Sequence, residues 1–475
     1  MTLTLEFFVE ALTGRRLDGA HPVDGVAIDS RQAAGMVFAA LPGEKTDGHE
    51  FVPNAFEHGA LAALVDREVE TSYPIVDLRG AEGASLPPPP LVLRVENVLL
   101  ALQEVARRWC RRWLDADPDH RIIGVTGSVG KTTTKELIAD VLVVRYRTLK
   151  SEKSYNNEIG IPVTVLKLRD EHQRAVLEMS MYTTGEIRLL TSIAPPQVGV
   201  VTLIAPVHLE RAGSMEAIVN AKAELVEALP PDGVAILNKD DERVMSLAQR
   251  TAARVMTYGL DPTADIWAED IESFGLEGIR FWMHYGGQRY RIRLPMLGRH
   301  SVHTALRAAA VGFTEGLGWE EVVRGLQSTR SQLRLIAVKG PRGSVILDDT
   351  YNASPPSTLA ALNLLNDLME GRRIAVLGDM LELGAYEERG HRDVGIRASA
   401  VADLLVTVGE RGRIIAEEAL RCRMPAEYVH TFATPEEAAA FLLTQIEPGD
   451  VILVKGSRAV GMERIVSLLS EAAEQ

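Results

Sequence analysis

The chain has 475 residues, of which 46% are hydrophobic and 24% are charged, and its formal net charge is -14. This length predicts about three domains with cores of their own, which excludes a disordered chain and a small disulfide scaffold. The acidic balance argues against extensive binding of nucleic acid or anionic membranes, while leaving room for a local basic pocket.

The cysteine content and the N-terminal stretch bear on the compartment. Cys110 and Cys422 lie far apart, which predicts neither a zinc site nor a disulfide framework and favours a reducing environment. The first residues include acids and lack a positive region ahead of an apolar stretch, so we expect no signal peptide. No run of about 18 apolar residues occurs, so we expect no membrane span. We therefore expect a cytoplasmic protein without a nucleic-acid partner.

Strand and helix patterns alternate in three successive segments, which predicts an α/β protein of three domains. Residues 1–117 form a small α/β N-terminal domain that ends in an Asp- and Pro-containing linker. Residues 118–330 form a central domain whose apolar strands and intervening helices predict a parallel sheet. Within it, residues 265–297 alternate polar and apolar, which predicts an antiparallel meander rather than a continuation of that sheet. Residues 331–475 form a C-terminal, Rossmann-like α/β domain.

A glycine-rich segment lies between the first strand of the central domain and a helix. Backbone N–H groups in such a turn, together with the helix N-terminus, form an anion nest. Lys131 is expected to reach the terminal phosphates of a nucleotide, and Thr132 to offer its hydroxyl to Mg²⁺. The alternative is a glycine-rich turn with an incidental Lys-Thr pair. The predicted phosphate loop comprises Thr126, Gly127, Ser128, Val129, Gly130, Lys131, Thr132 and Thr133.

Three further polar residues follow in the central segment. Glu178 ends an apolar strand, where it can serve as a metal carboxylate or simply be a solvated acid. His208 follows the next strand and is a candidate ligand or a structural histidine. Lys222 lies within an amphipathic helix, where a surface lysine is the default interpretation.

Two turn-rich segments carry polar side chains. Asp348 and Asp349 follow a strand of the third segment and precede Tyr351 and Asn352. Adjacent buried carboxylates are costly without partners, so at least one is expected to be exposed, paired or near a metal. A capped loop is the alternative. The stretch around Asn157 is polar and then turns apolar, which also suits an ordinary turn.

Taken in order, these motifs resemble the Mur ligase family, the ATP-dependent amide-forming enzymes of peptidoglycan precursor synthesis. The resemblance covers essentially the whole chain, and its phosphate loop is shortened as in that family. The motifs that carry it are Thr126 to Thr133, Tyr155 to Pro162, Glu178, His208, Ala221 to Leu225, Leu297 to His300, Arg334 and Asp349. Residues 29–31, 46–51, 349–355 and 377–384 resemble the subgroup that adds D-alanyl-D-alanine to UDP-N-acetylmuramoyl-tripeptide.

The resemblance implies an acyl-phosphate mechanism, with UDP-N-acetylmuramoyl-tripeptide and D-alanyl-D-alanine as substrates of a monomeric enzyme. Catalytic roles fall to Lys131, Glu178, His208, Lys222 and Arg334. Thr132 and Glu178 are expected to hold one Mg²⁺ and His208 a second, while Lys222 corresponds to the family's carbamylated lysine and supplies an oxygen ligand. Asn157, Arg334 and Asp349 join the phosphate loop in binding ATP. Substrate contacts are expected from Ser30, Arg31, Thr46, Asp47, Gly48, His49, Tyr351 and Asn352.

Two positions depart from the family pattern. After Gly298-Arg299-His300 the family has two Asn residues three apart, where this chain has Ser301 and Thr304. A hydroxyl cannot supply the paired donor and acceptor of an amide. Water, His300 or His303 takes over these contacts, or nucleotide binding is weaker.

Three other functions compete with the leading one. A Mur-type ligase can add a different amine or use a different acyl substrate, since the third domain chooses the incoming group. A non-catalytic paralogue is suggested only by Ser301 and Thr304. A generic phosphate-loop kinase leaves the N-terminal domain unexplained.

Overall fold

The structure is a computed structural model that describes residues 1–43, 46–80, 86–152, 155–207, 209–328, 336–368 and 371–474. It contains three sheets, each covered by helices, and the predicted α/β class with three domains is confirmed. The proposed boundary after residue 117 stays a prediction, and the one after residue 330 lies outside the described residues. Within the described ranges, no helix combines the length and apolarity needed to cross a membrane.

The N-terminal domain is built on a five-stranded parallel sheet of order β1-β2-β3-β5-β4. Its elements are α1 (Leu5–Thr13), β1 (Val26–Ala27), β2 (Val37–Ala39), α2 (Val52–Glu57), β3 (Ala62–Val65), β4 (Ile75–Asp77), β5 (Leu91–Arg94) and α3 (Val98–Ala116). Asn97 caps α3 by accepting a hydrogen bond from the Leu100 N–H over 2.9 Å. This helix is 19 residues long, and its last two residues, Asp115 and Ala116, belong to the segment predicted as a linker.

Helix α3 also joins the N-terminal domain to the central one. Trp109 and Trp113 are fully buried on its inner face, and their indole N–H groups donate to the carbonyl oxygens of Leu168 and Arg169 over 3.1 and 3.2 Å. A single apolar core therefore runs across both domains. Since a buried indole needs both apolar contact and a hydrogen-bond acceptor, this joint holds the two domains in one orientation.

The central domain carries a nine-stranded sheet of order β14-β13-β12-β11-β10-β9-β6-β8-β7. Its strands are β6 (Arg121–Thr126), β7 (Thr148–Lys150), β8 (Arg174–Glu178), β9 (Val198–Val201), β10 (Val234–Asn238), β11 (Arg254–Gly259), β12 (Ile266–Ser273), β13 (Ile279–Tyr285) and β14 (Gln288–Leu294). Its helices are α4 (Lys131–Leu142), α5 (Gly160–Val165), α6 (Glu186–Ile193), α7 (Leu209–Ala212), α8 (Met215–Glu227), α9 (Glu242–Met245), α10 (Ser301–Thr314) and α11 (Trp319–Gln327).

The meander is present, but the expectation that it stands apart from the parallel sheet is wrong. Ile266 and Trp267 of β12 pair in parallel with Tyr258 and Gly259 of β11, whereas β12 with β13 and β13 with β14 pair antiparallel. The meander thus extends the parallel sheet at its edge. An edge strand has unpaired N–H and C=O groups, and β12 pairs with part of the edge of β11.

The C-terminal domain has a six-stranded sheet of order β15-β16-β20-β17-β18-β19. Its elements are β15 (Ile336–Lys339), β16 (Val345–Asp349), α12 (Pro355–Asp367), β17 (Arg373–Gly378), α13 (Glu387–Val401), β18 (Leu404–Val408), α14 (Gly412–Arg421), β19 (Val429–Phe432), α15 (Pro435–Gln445), β20 (Val451–Lys455) and α16 (Glu463–Glu474). Helices α12, α13 and α14 cover one face, and α15 and α16 cover the other, as in a doubly wound fold. The antiparallel edge strand β15 was not predicted from the sequence.

Candidate active site

The phosphate loop follows β6, which lies between β8 and β9 in the middle of the central sheet. Gly127 has a φ of 144°, and a Cβ there would lie 1.8 Å from the Thr202 hydroxyl oxygen. Gly130 has a φ of 82° and immediately precedes α4. Only glycine tolerates both the left-handed backbone and the close approach to β9, so the glycines that the sequence singled out serve to shape the nest.

Hydrogen bonds inside the loop hold that shape. The Ser128 hydroxyl donates to the Ala205 carbonyl and accepts from the Ala205 N–H, both over 2.9 Å. The Thr202 hydroxyl donates to the Val129 carbonyl over 2.7 Å. The Lys131 ammonium donates to the Gly127 carbonyl over 2.9 Å. The backbone N–H groups of the loop are therefore preorganised around the N-terminus of α4, where a phosphate is favoured.

Glu178 is buried at the end of β8, with 1% of its surface exposed, so it is not a solvated acid. One carboxylate oxygen accepts from the Thr132 hydroxyl over 2.7 Å, and the other accepts from the Asn156 amide over 2.9 Å. Its backbone N–H donates to the Ser151 hydroxyl over 3.1 Å. The hydroxyl and the carboxylate that were predicted as metal ligands thus meet beside the phosphate loop.

Lys222 lies on α8 and is 2% exposed, which overturns the default of a surface lysine. Burial and the neighbouring Lys131 ammonium lower the pKa of Lys222 well below its ordinary value, against the opposing effects of Glu186 and Glu178. A lowered pKa favours the neutral amine over the ammonium, and a neutral amine is a nucleophile.

Glu224, two residues beyond Lys222, serves the same corner of the site. Its carboxylate is buried and accepts from the Gly185 and Arg188 N–H groups over 2.7 and 2.9 Å. It therefore satisfies the first turn of α6, the helix that begins with Glu186. This links α8 to α6 and fixes the surroundings of the buried lysine.

The C-terminal domain contributes an ion pair to the site. Asp349 ends β16 and lies opposite Lys455 at the end of the paired strand β20. The Lys455 ammonium donates to the Asp349 carboxylate over 2.6 Å and to the Asn352 carbonyl over 2.8 Å. Lys455 is 2% exposed, so this pair is held tightly. The expectation that one of the two adjacent aspartates is paired is confirmed.

One cleft of about 980 Å³ between the central and C-terminal domains brings the phosphate loop and Glu178 together with the Asp349–Lys455 pair, while Thr132 and Lys222 are not among its lining residues. Of the predicted residues, it is lined by Ser128, Val129, Gly130, Lys131, Thr133, Asn157, Glu178, Asp349, Tyr351 and Asn352. Asn157 also accepts from the Gly160 N–H over 2.9 Å at the start of α5. Tyr351 is exposed, with the Arg458 guanidinium 5.8 Å from its ring centre.

The predicted substrate residues of the N-terminal domain form a separate group that does not line this cleft. They follow the carboxyl ends of the neighbouring parallel strands β1 and β2, the edge where α/β sheets bind ligands. The Ser30 hydroxyl donates to Asn54 over 2.8 Å, and Arg31 pairs with Asp29. Thr46 accepts at its carbonyl from the Gly43 N–H over 2.9 Å.

His49 is buried in this second group and lies between two carboxylates. Its Nδ1 is 2.7 Å from Asp47, and its Nε2 is 3.1 Å from Asp66. At Gly48, a Cβ would approach the Leu41 carbonyl oxygen to 2.5 Å. The segment 46–49 is therefore a tight turn held by hydrogen bonds between its own side chains and backbone. The backbone of this turn and the exposed Arg31 side chain are more accessible to a substrate.

His208 and Arg334 lie outside the described residues. No three His, Cys, Asp or Glu side chains converge into a ready-made metal cage in the part of the chain that the structure describes.

Ser301 and Thr304, the two departures from the family pattern, both form hydrogen bonds within the protein. The Ser301 hydroxyl donates to the Leu297 carbonyl over 2.7 Å, and the Thr304 hydroxyl accepts from Arg307 over 2.8 Å. His303 lies 2.8 Å from the Asp240 carboxylate.

Four residues of the site escaped the sequence-based selection: Ser151, Asn156, Arg307 and Lys455. Asn156 lies inside the motif Tyr155 to Pro162, but its neighbour Asn157 was chosen from the sequence as the candidate for ATP binding. Lys455 ends an apolar strand just as Glu178 and Asp349 do, and that position was the available signal. Ser151 and Arg307 gave no sequence signal, since only folding brings them to the loop.

Comparison with known proteins agrees with this geometry. Residues 22–109 match the model described as Mur ligase family, catalytic domain. Residues 125–312 match the Mur ligase middle domain, and residues 333–458 match the Mur ligase, glutamate ligase domain.

Similar proteins extend over nearly the full length. The UDP-N-acetylmuramoyl-tripeptide–D-alanyl-D-alanine ligase of Bacillus subtilis (strain 168) is 36% identical over 457 residues, covering 95% of this chain and 94% of its own. A crystal structure of MurF from Acinetobacter baumannii has a TM-score of 0.84 at 29% identity and covers 99% of each chain. MurF ligase from Thermotoga maritima in complex with ADP has a TM-score of 0.79 at 25% identity and covers 98% of this chain and 99% of that one. The chain belongs to the Mur ligase family of ATP-dependent amide-forming ligases.

Proposed function

We propose that this protein joins D-alanyl-D-alanine to UDP-N-acetylmuramoyl-tripeptide in an ATP-dependent reaction of peptidoglycan precursor synthesis. The observation that carries the proposal is the cleft in which the phosphate loop and Glu178 face the Asp349–Lys455 pair. The named activity of the similar full-length ligases supports the same assignment.

The reaction needs two steps because a free carboxylate is a poor electrophile. The terminal carboxylate of the tripeptide attacks the γ-phosphorus of ATP, the bond to the β-phosphate breaks, and ADP leaves. The dipeptide amine then attacks the acyl carbon of the acyl phosphate, and phosphate departs from the tetrahedral adduct as the nitrogen loses its proton. Catalysis of both steps depends on positioning and on neutralising charge.

The phosphate loop holds the nucleotide in this proposal. Its N–H groups and the N-terminus of α4 bind the phosphates, and Lys131 neutralises the charge that develops on the transferred group. The cradle at Gly127, which a single Cβ would fill, supports this role.

Thr132 and Glu178 would hold one Mg²⁺, and His208 a second. The residues fit, since a buried carboxylate and a hydroxyl already meet over 2.7 Å and both are hard oxygen donors. When bound, Mg²⁺ neutralises phosphate charge. Asn156 orients the Glu178 carboxylate by donating to its second oxygen.

Lys222 is proposed to be carbamylated. Its neutral Nζ attacks the carbon of CO₂, so a nitrogen–carbon bond forms as one C=O π bond opens. The nitrogen then loses a proton, and the product is an anionic carbamate with two oxygen donors. Burial and the neighbouring Lys131 ammonium support this proposal, because both disfavour the charged ammonium of Lys222. The positive charge of Lys131 would also favour the anionic carbamate.

The three domains divide the substrates. Residues 1–117 would bind the UDP end through Ser30, Arg31 and the turn 46–49, and residues 118–330 would bind ATP. Residues 331–475 would receive the amine near Tyr351 and Asn352 and contact ATP through Arg334 and Asp349. Closure of the C-terminal domain would complete the site. A monomeric state and a cytoplasmic location stay predictions.

The test measures phosphate release by the purified protein with ATP, Mg²⁺ and UDP-N-acetylmuramoyl-tripeptide, against a panel of amines. We expect release only when D-alanyl-D-alanine is present. Release with another amine instead would transfer the assignment to a ligase of different specificity. No turnover of ATP with any acceptor would favour a non-catalytic paralogue.

A further inference from the structure

Arg307 on α10 is a buried cation beside the phosphate loop. Its surface is 4% exposed, and its guanidinium donates to Thr134 over 3.0 Å, to Tyr258 over 3.3 Å and to Thr304 over 2.8 Å. All three acceptors are neutral hydroxyl groups. No ion pair joins Arg307 to a carboxylate within the described ranges.

Such a charge is costly to bury. An ionised side chain taken out of water needs an opposite charge to offset its lost hydration, and neutral hydroxyls offset it only in part. A guanidinium has five N–H groups, and three are engaged with described residues. The remaining two are directed by the rigid plane of the group, which suits recognition of an oxyanion.

The surroundings of Arg307 identify where that anion would lie. Its Nη2 is 3.5 Å from the position of a Cβ on Gly130, the residue that precedes α4, and Arg307 lines the same cleft as the loop. Lys131 belongs to the loop itself, and its ammonium donates to the Gly127 carbonyl. Two cations therefore lie beside the anion nest and line the same cleft.

We propose that Arg307 binds the diphosphate part of the nucleotide beside the phosphate loop. Lys131 serves the transferred γ-phosphate, and Arg307 serves the α- and β-phosphates that ATP and ADP share. This inference rests on the proposed ATP-dependent function.

This role of Arg307 explains why Thr304 departs from the family pattern. The Thr304 hydroxyl accepts from Arg307, so this position orients the guanidinium instead of contacting the nucleotide itself. The Ser301 hydroxyl is bonded to the Leu297 carbonyl within its own helix turn. The charge of Arg307 replaces the interactions that the amide side chains of the family pattern would make.

The test is calorimetric titration of the full-length protein with Mg-ADP, together with the melting temperature without nucleotide. Arg307→Met and Arg307→Gln are expected to weaken ADP binding by about 10- to 100-fold, since a charge-assisted contact is lost. Arg307→Lys keeps the charge and is expected to bind ADP at least about fivefold more tightly than Arg307→Met. Arg254→Met, at an exposed position at the start of β11, is the matched control and is expected to bind as the wild type does.

The melting temperature separates binding from folding. Because an uncompensated cation is removed, Arg307→Met is expected to melt no lower than the wild type without nucleotide. Unchanged ADP affinity in Arg307→Met, or a lower melting temperature in both Arg307→Met and Arg307→Lys, would overturn the inference and assign Arg307 a structural role. A wild-type protein that binds no ADP would overturn the ATP-dependent function itself.

Discussion

The Thr132 hydroxyl donates to the Glu178 carboxylate over 2.7 Å, joining the first turn of α4 to the end of β8. The two residues are 46 positions apart, and the parallel pairing of β6 with β8 brings them together. The hydrogen bond joins two oxygen atoms, and a cation that binds both of them can take its place.

Glu178→Gln keeps the size of the side chain and removes its charge. We expect kcat for phosphate release to fall by at least about 100-fold, because the buried oxygen ligand for Mg²⁺ becomes a neutral amide. Raising the Mg²⁺ concentration should recover part of the loss. Glu171→Gln, at an exposed acid shortly before the same strand, serves as the control and should retain activity. Wild-type kinetics in Glu178→Gln would contradict the metal role.

Lys222→Ala removes the amine proposed to form the carbamate. We expect turnover to fall strongly and added bicarbonate to leave it low, since no nitrogen remains to react with CO₂. In the wild type, the carbamate carbon is expected to give a ¹³C signal after exposure to labelled bicarbonate. Full activity in Lys222→Ala would refute the carbamate assignment.

Lys222 also predicts a pH dependence of stability in CO₂-free buffer. Its folded pKa is lowered, so between that pKa and the ordinary value the unfolded chain binds more protons than the folded chain. The free energy of unfolding then rises with pH, by up to ~1.4 kcal/mol per pH unit from this group. Lys222→Met should be more stable than the wild type near neutral pH and show a flatter rise in alkaline denaturant titrations. An equal slope in both proteins would rule out a buried neutral lysine, and Lys339→Met, at an exposed site, is the control.

Gly127→Ala tests the cradle of the phosphate loop. The new Cβ would lie 1.8 Å from the Thr202 hydroxyl oxygen, and a φ of 144° is unfavourable for alanine. We expect loss of detectable ADP binding and a destabilisation of about 2 kcal/mol or more, measured by calorimetry and denaturant unfolding. Gly449→Ala is the control, because Gly449 also has a left-handed backbone but no atom lies within 4 Å of an added Cβ. It should show the destabilisation that comes from backbone strain without losing ADP binding.

Lys455→Met tests the ion pair in the C-terminal domain. Asp349 would lose its only described cationic partner and remain largely buried, so we expect it to reorient and the KM for ATP to rise by about tenfold or more. The KM for the tripeptide substrate should change less. If Asp349→Asn and Lys455→Met had no effect on the KM for ATP, the pair would be structural alone.

The class of fold followed from patterns that are local in the chain. Short apolar strands alternated with helical stretches, and the order of these patterns predicted three α/β units. The edge strand β15 and the attachment of the meander to β11 escaped prediction. Both depend on which exposed edge is available for pairing, and that is decided by distant segments.

By itself, the sequence determined the phosphate loop, because its glycines, Lys131 and Thr132 are consecutive and their chemistry follows from local backbone geometry. It also placed Glu178 and Asp349 at strand ends. Only the tertiary structure decided that Lys222 is buried with a lowered pKa and that Lys455 pairs with Asp349. It also decided that Arg307 lies against the loop with no carboxylate partner among the described residues. Burial and charge pairing are sums over residues far apart in the chain, so a lysine or arginine on a helix gives the same local pattern whether it faces solvent or a phosphate site.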